Sequence, residues 1–227
     1  WLLGACVSLP ALSATAAPAA PVALDNPTCL SCHDGKKGKL EVPVKDGKPR
    51  ALMAVDADKF GQGVHAKMTC VACHTDIKDN ADKANAHAKD PAAKLAKVDC
   101  AGCHEQLWSD VQKAGTAKDK PGFELVVKNT AAYNKSFHAR PSSEDKTKPN
   151  ASCDGCHDTH GFNVPAKNTP QYDQWRLGIS ESCGAKCHED QLESYSGSVH
   201  GMAVMEKKDV KAAVCTDCHS THSITSS

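Results

Sequence analysis

The chain has 227 residues, which suggests one or two domains, but only 4% of them are aromatic. So few large side chains cannot fill a conventional core of this size, which indicates that a bound apolar group contributes to the interior. Lys and Arg together number 27, as do Asp and Glu, so the formal net charge is zero. This balance excludes the strongly basic surface that is typical of nucleic-acid binding.

Residues 1–24 carry no charged side chain and pass from an apolar start into an Ala- and Pro-rich stretch. Three interpretations stay open. The stretch could be the rear half of a signal peptide cleaved near residues 14–16, or a lipobox ending at Cys6, which would then carry lipid. It could also be the second half of a membrane anchor, since a span requires about 20 apolar residues. We expect an uncleaved anchor that Pro18 and Pro21 terminate.

One short motif, Cys-x-x-Cys-His, recurs six times after residue 28. The six copies lie at 29–33, 70–74, 100–104, 153–157, 183–188 and 215–219. All have the regular spacing except the copy at 183–188, which has one inserted residue. This motif is the attachment signature of c-type haem. Its cysteines form thioethers to one porphyrin, and its histidine ligates the iron.

The motifs predict six haem groups and the residues that hold them. The predicted covalent attachment residues are Cys29, Cys32, Cys70, Cys73, Cys100, Cys103, Cys153, Cys156, Cys183, Cys187, Cys215 and Cys218. The predicted proximal iron ligands are His33, His74, His104, His157, His188 and His219. In the fifth motif, the inserted residue must bulge between the two thioethers.

Zinc binding and disulfide formation are the alternatives for such cysteine pairs. Two Cys-x-x-Cys pairs can make a four-cysteine zinc site, but neither alternative requires a histidine after every second cysteine. The motifs use 12 of the 13 cysteines and leave only Cys6. The pattern therefore favours haem.

The histidines outside the motifs match the number of haems. There are six of them: His65, His87, His138, His160, His200 and His222. This count predicts that each iron has a second, distal histidine ligand. The methionines Met53, Met68, Met202 and Met205 are alternative ligands, although packing is the more ordinary role for methionine.

An internal repeat follows residue 24. Each unit contains a motif, an aromatic residue five positions before a histidine, a second motif and a further histidine. We predict an α-helical and irregular fold of three two-haem modules at 25–95, 96–170 and 171–227. Its predicted elements are short helices at 57–67, 105–114 and 189–194 and a short strand at 123–127.

Spacing also predicts which histidines share an iron. His160 follows His157 by three residues, so both side chains project to one side and cannot approach one iron from opposite faces. His222 stands in the same relation to His219. The simplest pairs are therefore His160 with His104, His138 with His157, His222 with His188, His200 with His219, His87 with His33 and His65 with His74.

Two phrases, Ser-Val-His200-Gly and Cys-Thr-Asp-Cys-His-Ser-Thr-His222, resemble the multihaem cytochrome c superfamily of bacterial periplasmic respiration. A six-haem chain with a membrane anchor is similar to the cytochrome subunit of menaquinone reductase complexes and to the haem subunit of alternative complex III. The resemblance implies electron exchange between a soluble periplasmic cytochrome and other subunits of a membrane complex that serves the quinone pool. It also implies a location on the periplasmic side of the inner membrane.

Four functional classes are open for such a chain. With two histidines on every iron, the protein would only relay electrons, as an anchored subunit or as a free periplasmic shuttle. With one open iron, it would be a reductase of nitrite, hydroxylamine or a sulfur oxyanion. Direct quinol oxidation beside the anchor could use Asp25 or Lys36. We expect the anchored electron relay, without substrate chemistry.

Overall fold

The structure, a computed structural model, describes residues 24–42, 48–77 and 98–225. Several predictions therefore lie outside the described residues: those on the 1–24 segment apart from Leu24, including Cys6, and those on His87. No helix within the described ranges combines the length and the apolarity that a membrane span requires.

The described residues are mainly helical and irregular, as the sequence predicts. Their helices are α1 Asn26–His33, α2 Ala57–Gln62, α3 Cys70–Cys73, α4 Cys100–Lys113, α5 Pro121–Asn134, α6 Cys153–Cys156, α7 Pro170–Leu177, α8 Ile179–Gly184, α9 Glu189–Ser196, α10 Val199–Met205 and α11 Cys215–His219. A 3-10 turn at Ala117–Asp119 joins α4 to α5. Two short strands, β1 Glu41–Val42 and β2 Arg50–Ala51, pair antiparallel with Glu41 opposite Ala51.

Five of the six motifs lie largely within helices, whereas in the fifth only Cys183 and Gly184 belong to a helix, α8. In α3, α4, α6 and α11 the first cysteine is the first helical residue, while α1 ends on the motif histidine His33. The Asp25 side chain accepts the Thr28 N–H at 2.8 Å, and the Asp99 side chain accepts the Gly102 N–H at 2.8 Å. These caps pair N–H groups that the first turn of a helix leaves free. Both thiols of each of these motifs therefore lie on about one helical turn.

The predicted helices are present, with different bounds. Residues 105–114 lie within α4 except for the C-cap Ala114, and residues 189–194 lie within α9. The helix predicted at 57–67 is shorter, because α2 ends at Gln62 and Gly63 turns to extended backbone.

The strand predicted at 123–127 is wrong, because these residues lie inside α5. Pro121 occupies the first turn of α5, where proline favours a helix start. The half-buried residues then recur at helical spacing, and Glu124 forms an ion pair with Lys128, four residues on, at 2.6 Å. A short apolar run could not distinguish strand from helix.

Hydrophobic side chains are scarce in the interior. Of the residues that the structure describes, Val204 and Val214 are the buried hydrophobic ones, and Ser136 and Ser180 are buried polar ones. The main contacts between helices are those of α4 with α5, α8 with α9, α9 with α10 and α8 with α11. Such a chain buries little apolar side chain of its own, which agrees with an interior completed by bound groups.

Candidate haem centres

Four pairs of histidine rings face one another at nearly the same distance. The ring centroids are 6.1 Å apart for His65–His104, 6.3 Å for His74–His160, 6.1 Å for His138–His188 and 6.0 Å for His157–His222. A metal-bound imidazole nitrogen lies about 2.0 Å from the metal, so two imidazoles on opposite sides of one iron have centroids about 6.3 Å apart. Each pair therefore has the spacing of two axial ligands of one haem iron.

The protonation of these rings also suits iron binding. Burial lowers the pKa of His104, His157 and His160, and the facing histidine lowers each pKa further. Burial likewise lowers the pKa of His138 and of His222. A lower pKa favours the neutral imidazole, whose lone pair a metal requires. The buried Nδ1 atoms of His104 and His160 have no hydrogen-bond partner. The residues present thus fit the predicted haem groups.

Every facing pair joins a motif histidine to a histidine outside the motifs, as the sequence predicts, but the partners differ from the predicted ones. His104 faces His65 instead of His160, and His74 faces His160 instead of His65. His157 faces His222 instead of His138, and His188 faces His138 instead of His222. Each observed pair joins residues from two neighbouring repeat units, whereas the prediction kept every pair within one unit.

His200 and His219, which were predicted to share an iron, are not brought together. Within the described ranges neither ring faces another histidine ring as the four pairs do, and both residues are exposed. The predicted pair of His33 with His87 lies outside the described residues because of His87.

Two long-range backbone hydrogen bonds explain the exchanged partners. The N–H of Val64 donates to the Phe162 carbonyl at 3.0 Å, and the N–H of Phe137 donates to the Ile224 carbonyl at 2.7 Å. Each donor precedes a distal histidine, His65 or His138. Each acceptor lies two residues after a second distal histidine: Phe162 follows His160, and Ile224 follows His222. We name these contacts the first and the second junction. Each junction joins the chain beside two histidines outside the motifs, and each of these histidines faces a motif histidine of the other unit.

The first cysteines of consecutive motifs meet in pairs. Burial, and then the charge of Cys29, raise the pKa of Cys70 to about 11. A hydrogen bond between the Cys100 and Cys153 thiols raises the pKa of Cys100 and lowers that of Cys153 to about 7. Burial and then Cys215 raise the pKa of Cys183 to about 11. In the haem-bound protein these sulfur atoms would be thioethers, which do not titrate. What the pKa shifts indicate for that protein is that the sulfur atoms lie close together. The first motif adjoins the second, the third the fourth, and the fifth the sixth.

Second cysteines link these pairs to one another. Burial raises the pKa of Cys73, and Cys103 of the next motif raises it further. Burial also raises the pKa of Cys156; Lys186 lowers it, and Cys187 raises it. The second motif therefore adjoins the third, and the fourth adjoins the fifth. The six motifs form one uninterrupted series in chain order.

Polar contacts hold the second motif of each unit in place. The hydroxyl of Tyr133 donates to the Ala151 carbonyl at 2.7 Å, and the hydroxyl of Tyr195 donates to the Ala213 carbonyl at 2.7 Å. Each carbonyl lies two residues before a motif. In the first unit Phe60 takes the tyrosine position and has no hydroxyl.

The first unit uses an asparagine for the same purpose. Asn26 Nδ2 donates to the equivalent carbonyl of Met68 at 2.9 Å, and Asn26 Oδ1 accepts the Cys70 N–H at 2.9 Å. In the third unit the buried Ser180, also three residues before a first cysteine, lies 3.6 Å from Cys215 Sγ. These bracing residues were not predicted, although their fixed distance from the motifs was a usable signal.

The stretched fifth motif accommodates its extra residue by widening one turn. The His188 N–H donates to the Cys183 carbonyl, five residues back, at 3.3 Å, whereas the His74 N–H reaches Cys70, four residues back, at 2.9 Å. Lys186 Nζ donates to the Gly155 carbonyl of the fourth motif at 3.0 Å. Since His188 still faces His138 at 6.1 Å, the insertion leaves the ligand geometry unchanged.

Arg176 on α7 is a further residue that the sequence analysis missed. Its guanidinium donates to the carbonyls of Val210 and Ala212, both at 3.0 Å, and to Asp217 at 2.6 Å. Asp217 lies inside the sixth motif, and its carboxylate also accepts the Val214 N–H at 2.8 Å. The hydrogen bond from Arg176 lowers the pKa of Asp217. Arg176 therefore fixes the sixth motif from outside.

Within the described residues, the side chains form no site for a directly bound metal ion. In the part of the chain that the structure describes, no group of three or more His, Cys, Asp or Glu side chains could hold a metal ion. A four-cysteine zinc site is therefore not formed by the described motif cysteines.

Comparison with known proteins gives one family match. The family described as cytochrome c554 and c-prime matches residues 44–105, which contain His65 and the second and third motifs. No curated protein and no solved structure matches the chain. The match covers a little over a quarter of the chain. Together with the paired histidines, it supports a c-type cytochrome, an electron-transfer protein with covalently attached haem.

Proposed function

We propose that this chain carries six covalently attached haem c groups and relays electrons along them. The observation that carries the proposal is the set of four imidazole pairs at 6.0–6.3 Å, each containing a motif histidine. The proximity of cysteines in consecutive motifs supports a path from the first haem to the sixth. Haem iron supplies the redox chemistry by changing between its ferric and ferrous states.

The chain's own residues have two roles in this proposal. The motif cysteines would anchor each macrocycle, and two histidines would hold each of four irons, with the pairs His65–His104, His74–His160, His138–His188 and His157–His222. Held by two histidines, these four irons would offer no site for a substrate and would supply electron transfer only. Axial ligands, burial and nearby charge set the potentials.

We further propose that the protein is an anchored subunit rather than an enzyme. The uncharged 1–24 segment supports an anchor, and covalent haem attachment supports the periplasmic side of the bacterial inner membrane. Its partners would be a soluble periplasmic cytochrome c and the other subunits of a quinone-linked membrane complex. This partner assignment rests on the resemblance of the sequence.

Haem content and spin state test the relay. A holoprotein with six haems per chain by pyridine haemochrome assay, mostly low-spin by electron paramagnetic resonance, is expected. Fewer than six haems would contradict the count, and mainly high-spin iron would contradict histidine pairs. Mild-detergent extraction of native membranes with mass spectrometry tests the location. Co-elution with iron–sulfur and polytopic subunits is expected, and recovery as a free soluble chain would contradict the anchored subunit.

One observation favours a second candidate, a reductase with an open haem. His219 has no facing histidine ring in the described part of the chain, and it borders an open cavity of about 340 Å³ lined also by Cys218, Ser220 and Ser223. Turnover of nitrite or hydroxylamine by the reduced protein, lost in the variant Cys215→Ala/Cys218→Ala, would establish this reading. Its absence would leave the relay.

A further inference from the structure

We propose that the edge of the third unit around Val199 and His200 is a third junction, which receives a further haem-bearing unit from outside these 227 residues. His200 would be the axial ligand of an iron in that incoming unit, not of any haem in this chain. The inference rests on the proposed function, because it assumes that the chain carries haem.

The two observed junctions define what such an edge does. In each, a backbone N–H beside a distal histidine donates to the following unit: Val64 to Phe162, and Phe137 to Ile224. The histidine next to the donor then faces the first motif of that following unit, so that His65 faces His104 and His138 faces His188. A distal histidine in this position therefore always serves the next unit.

Val199 and His200 occupy the corresponding positions in the third unit. The sequence Tyr195-x-x-x-Val199-His200 matches Tyr133-x-x-x-Phe137-His138 in spacing. The Val199 N–H has no acceptor among the described residues. The residue Val199 is 78% exposed, compared with 60% for Val64 and 40% for Phe137. The edge shares the sequence spacing of a junction and the exposed residue before its histidine, although Val199 and His200 begin α10 whereas Val64 and Phe137 lie in turns and bends. Among the described residues no following unit covers it.

His200 is not arranged to serve the haem of its own unit. The hydroxyl bond of Tyr195 to Ala213 reproduces that of Tyr133 to Ala151, with the same length of 2.7 Å. The third unit therefore holds its distal histidine and its second motif in the same relative arrangement as the second unit holds its own. In that frame His138 does not face His157, and in the third unit His200 does not face His219.

The sixth motif indicates which iron ligand the incoming unit would supply to this chain. In both observed junctions the following unit supplies a histidine to the second motif of the preceding one, since His160 faces His74 and His222 faces His157. His219 is the corresponding motif histidine of the third unit and is exposed. The partner is therefore a c-type haem unit that presents one iron with an open axial position and one histidine. Binding would form two iron–nitrogen bonds, one in each direction, without any change of oxidation state.

The test uses the six-haem holoprotein under conditions in which ultracentrifugation shows a monomer. Electron paramagnetic resonance and magnetic circular dichroism count its low-spin haems. We expect His200→Ala to leave this number unchanged and the matched control His138→Ala to reduce it by one. A loss of one low-spin haem in the His200→Ala protein would overturn the proposal, because His200 would then ligate an iron of its own chain.

A binding experiment provides the positive result. The probe is a haem peptide from a c-type cytochrome, which carries its motif histidine and one open axial position. We expect the ferric peptide to become low-spin with one equivalent bound by the parent chain and none by the His200→Ala chain. Equal binding by both chains would contradict the role of His200. Free imidazole should convert one high-spin haem to low-spin in both proteins, through the open position opposite His219, and the absence of any such haem would also contradict the proposal.

Two further outcomes separate this inference from others. Fewer than six haems by pyridine haemochrome would refute the proposed function, whereas six haems with a low-spin loss in His200→Ala would refute only the junction. Concentration-dependent self-association that removes the high-spin signal would show that a second copy covers the edge and would overturn the external haem unit.

Discussion

The ring of His65 faces the ring of His104 at 6.1 Å, although the motif nearest to His65 in sequence is that of His74. This relationship reverses the simplest reading of the sequence, in which each repeat unit supplies its own ligands. With its three counterparts, it makes neighbouring units exchange histidines. Under the proposed ligation, adjacent units are then joined through iron–nitrogen bonds as well as through backbone hydrogen bonds.

The exchange predicts which haem loses a ligand when a distal histidine is removed. We expect His65→Ala to convert one haem from low-spin to high-spin, because the iron bound by His104 loses its second nitrogen. In a Cys100→Ala/Cys103→Ala background, which lacks that haem, His65→Ala should have no further effect on the spin count. In the matched Cys70→Ala/Cys73→Ala background the effect should persist. The opposite result in the two backgrounds would restore the pairing of His65 with His74.

The tyrosine hydroxyls predict a measurable stability loss. Removing one hydroxyl by Tyr133→Phe or Tyr195→Phe leaves a carbonyl before the second motif unpaired, which should cost about 1 kcal/mol each. Denaturant unfolding of the holoprotein, followed by the Soret band, measures this loss. Tyr172→Phe is the control, since the Tyr172 hydroxyl makes no hydrogen bond to another described residue. An equal effect of all three substitutions would contradict the bracing role.

The stretched fifth motif predicts a strict requirement for glycine at position 184. A Cβ on the buried Gly184 would overlap the Leu192 side chain, whereas a Cβ on Gly155 in the fourth motif would meet nothing within 4 Å. We expect Gly184→Ala to cost about 1–3 kcal/mol through overpacking and to reduce occupancy of the fifth haem. Gly155→Ala should be close to neutral.

A second substitution checks that explanation. Leu192→Gly in the Gly184→Ala background should restore haem content toward the level of Leu192→Gly alone, because it removes the Cβ, Cγ and Cδ2 atoms of Leu192 that would overlap. Intact-mass measurement of the haem number gives the result. If no restoration occurs, contact with Leu192 is not the reason for the glycine.

The ion pair between Arg176 and Asp217 predicts a pH dependence of stability. Arg176 lowers the pKa of Asp217 below the ordinary 3.8. The resulting stabilisation is present above that ordinary value and is lost as the pH falls through the lower folded-state pKa. Because Asp217 is partly exposed, solvent screens the pair, and we expect Arg176→Met to cost about 1 kcal/mol at neutral pH.

Comparison with an exposed pair tests this assignment. Lys128→Met removes the partner of Glu124, an exposed pair four residues apart on α5 that should contribute about 0.3–0.5 kcal/mol. The difference in unfolding free energy between the parent and Arg176→Met should be constant from pH 7 to about pH 5 and should become smaller as the pH falls below 3.8. A difference that is independent of pH would assign the effect to the carbonyl hydrogen bonds of Arg176 alone.

The sequence by itself determined the chemistry and the periodicity of this protein. Cys-x-x-Cys-His places two thiols and an imidazole within about one helical turn, a local arrangement that depends on few other residues. The count of histidines outside the motifs predicted a second ligand for each iron, and the rule that His160 cannot serve the iron of His157 agrees with the observed pairs. Haem number and the role of each ligand stay predictions.

The tertiary structure alone decided which histidines meet. The junction bonds from Val64 to Phe162 and from Phe137 to Ile224 join residues far apart in the chain, and backbone N–H and carbonyl groups carry no sequence signature. The short run at 123–127, four apolar residues and Glu124, was likewise ambiguous from sequence, because its conformation depended on the helix that Pro121 begins. Local spacing determines which side of a haem a ligand can approach, but long-range packing determines which haem it reaches.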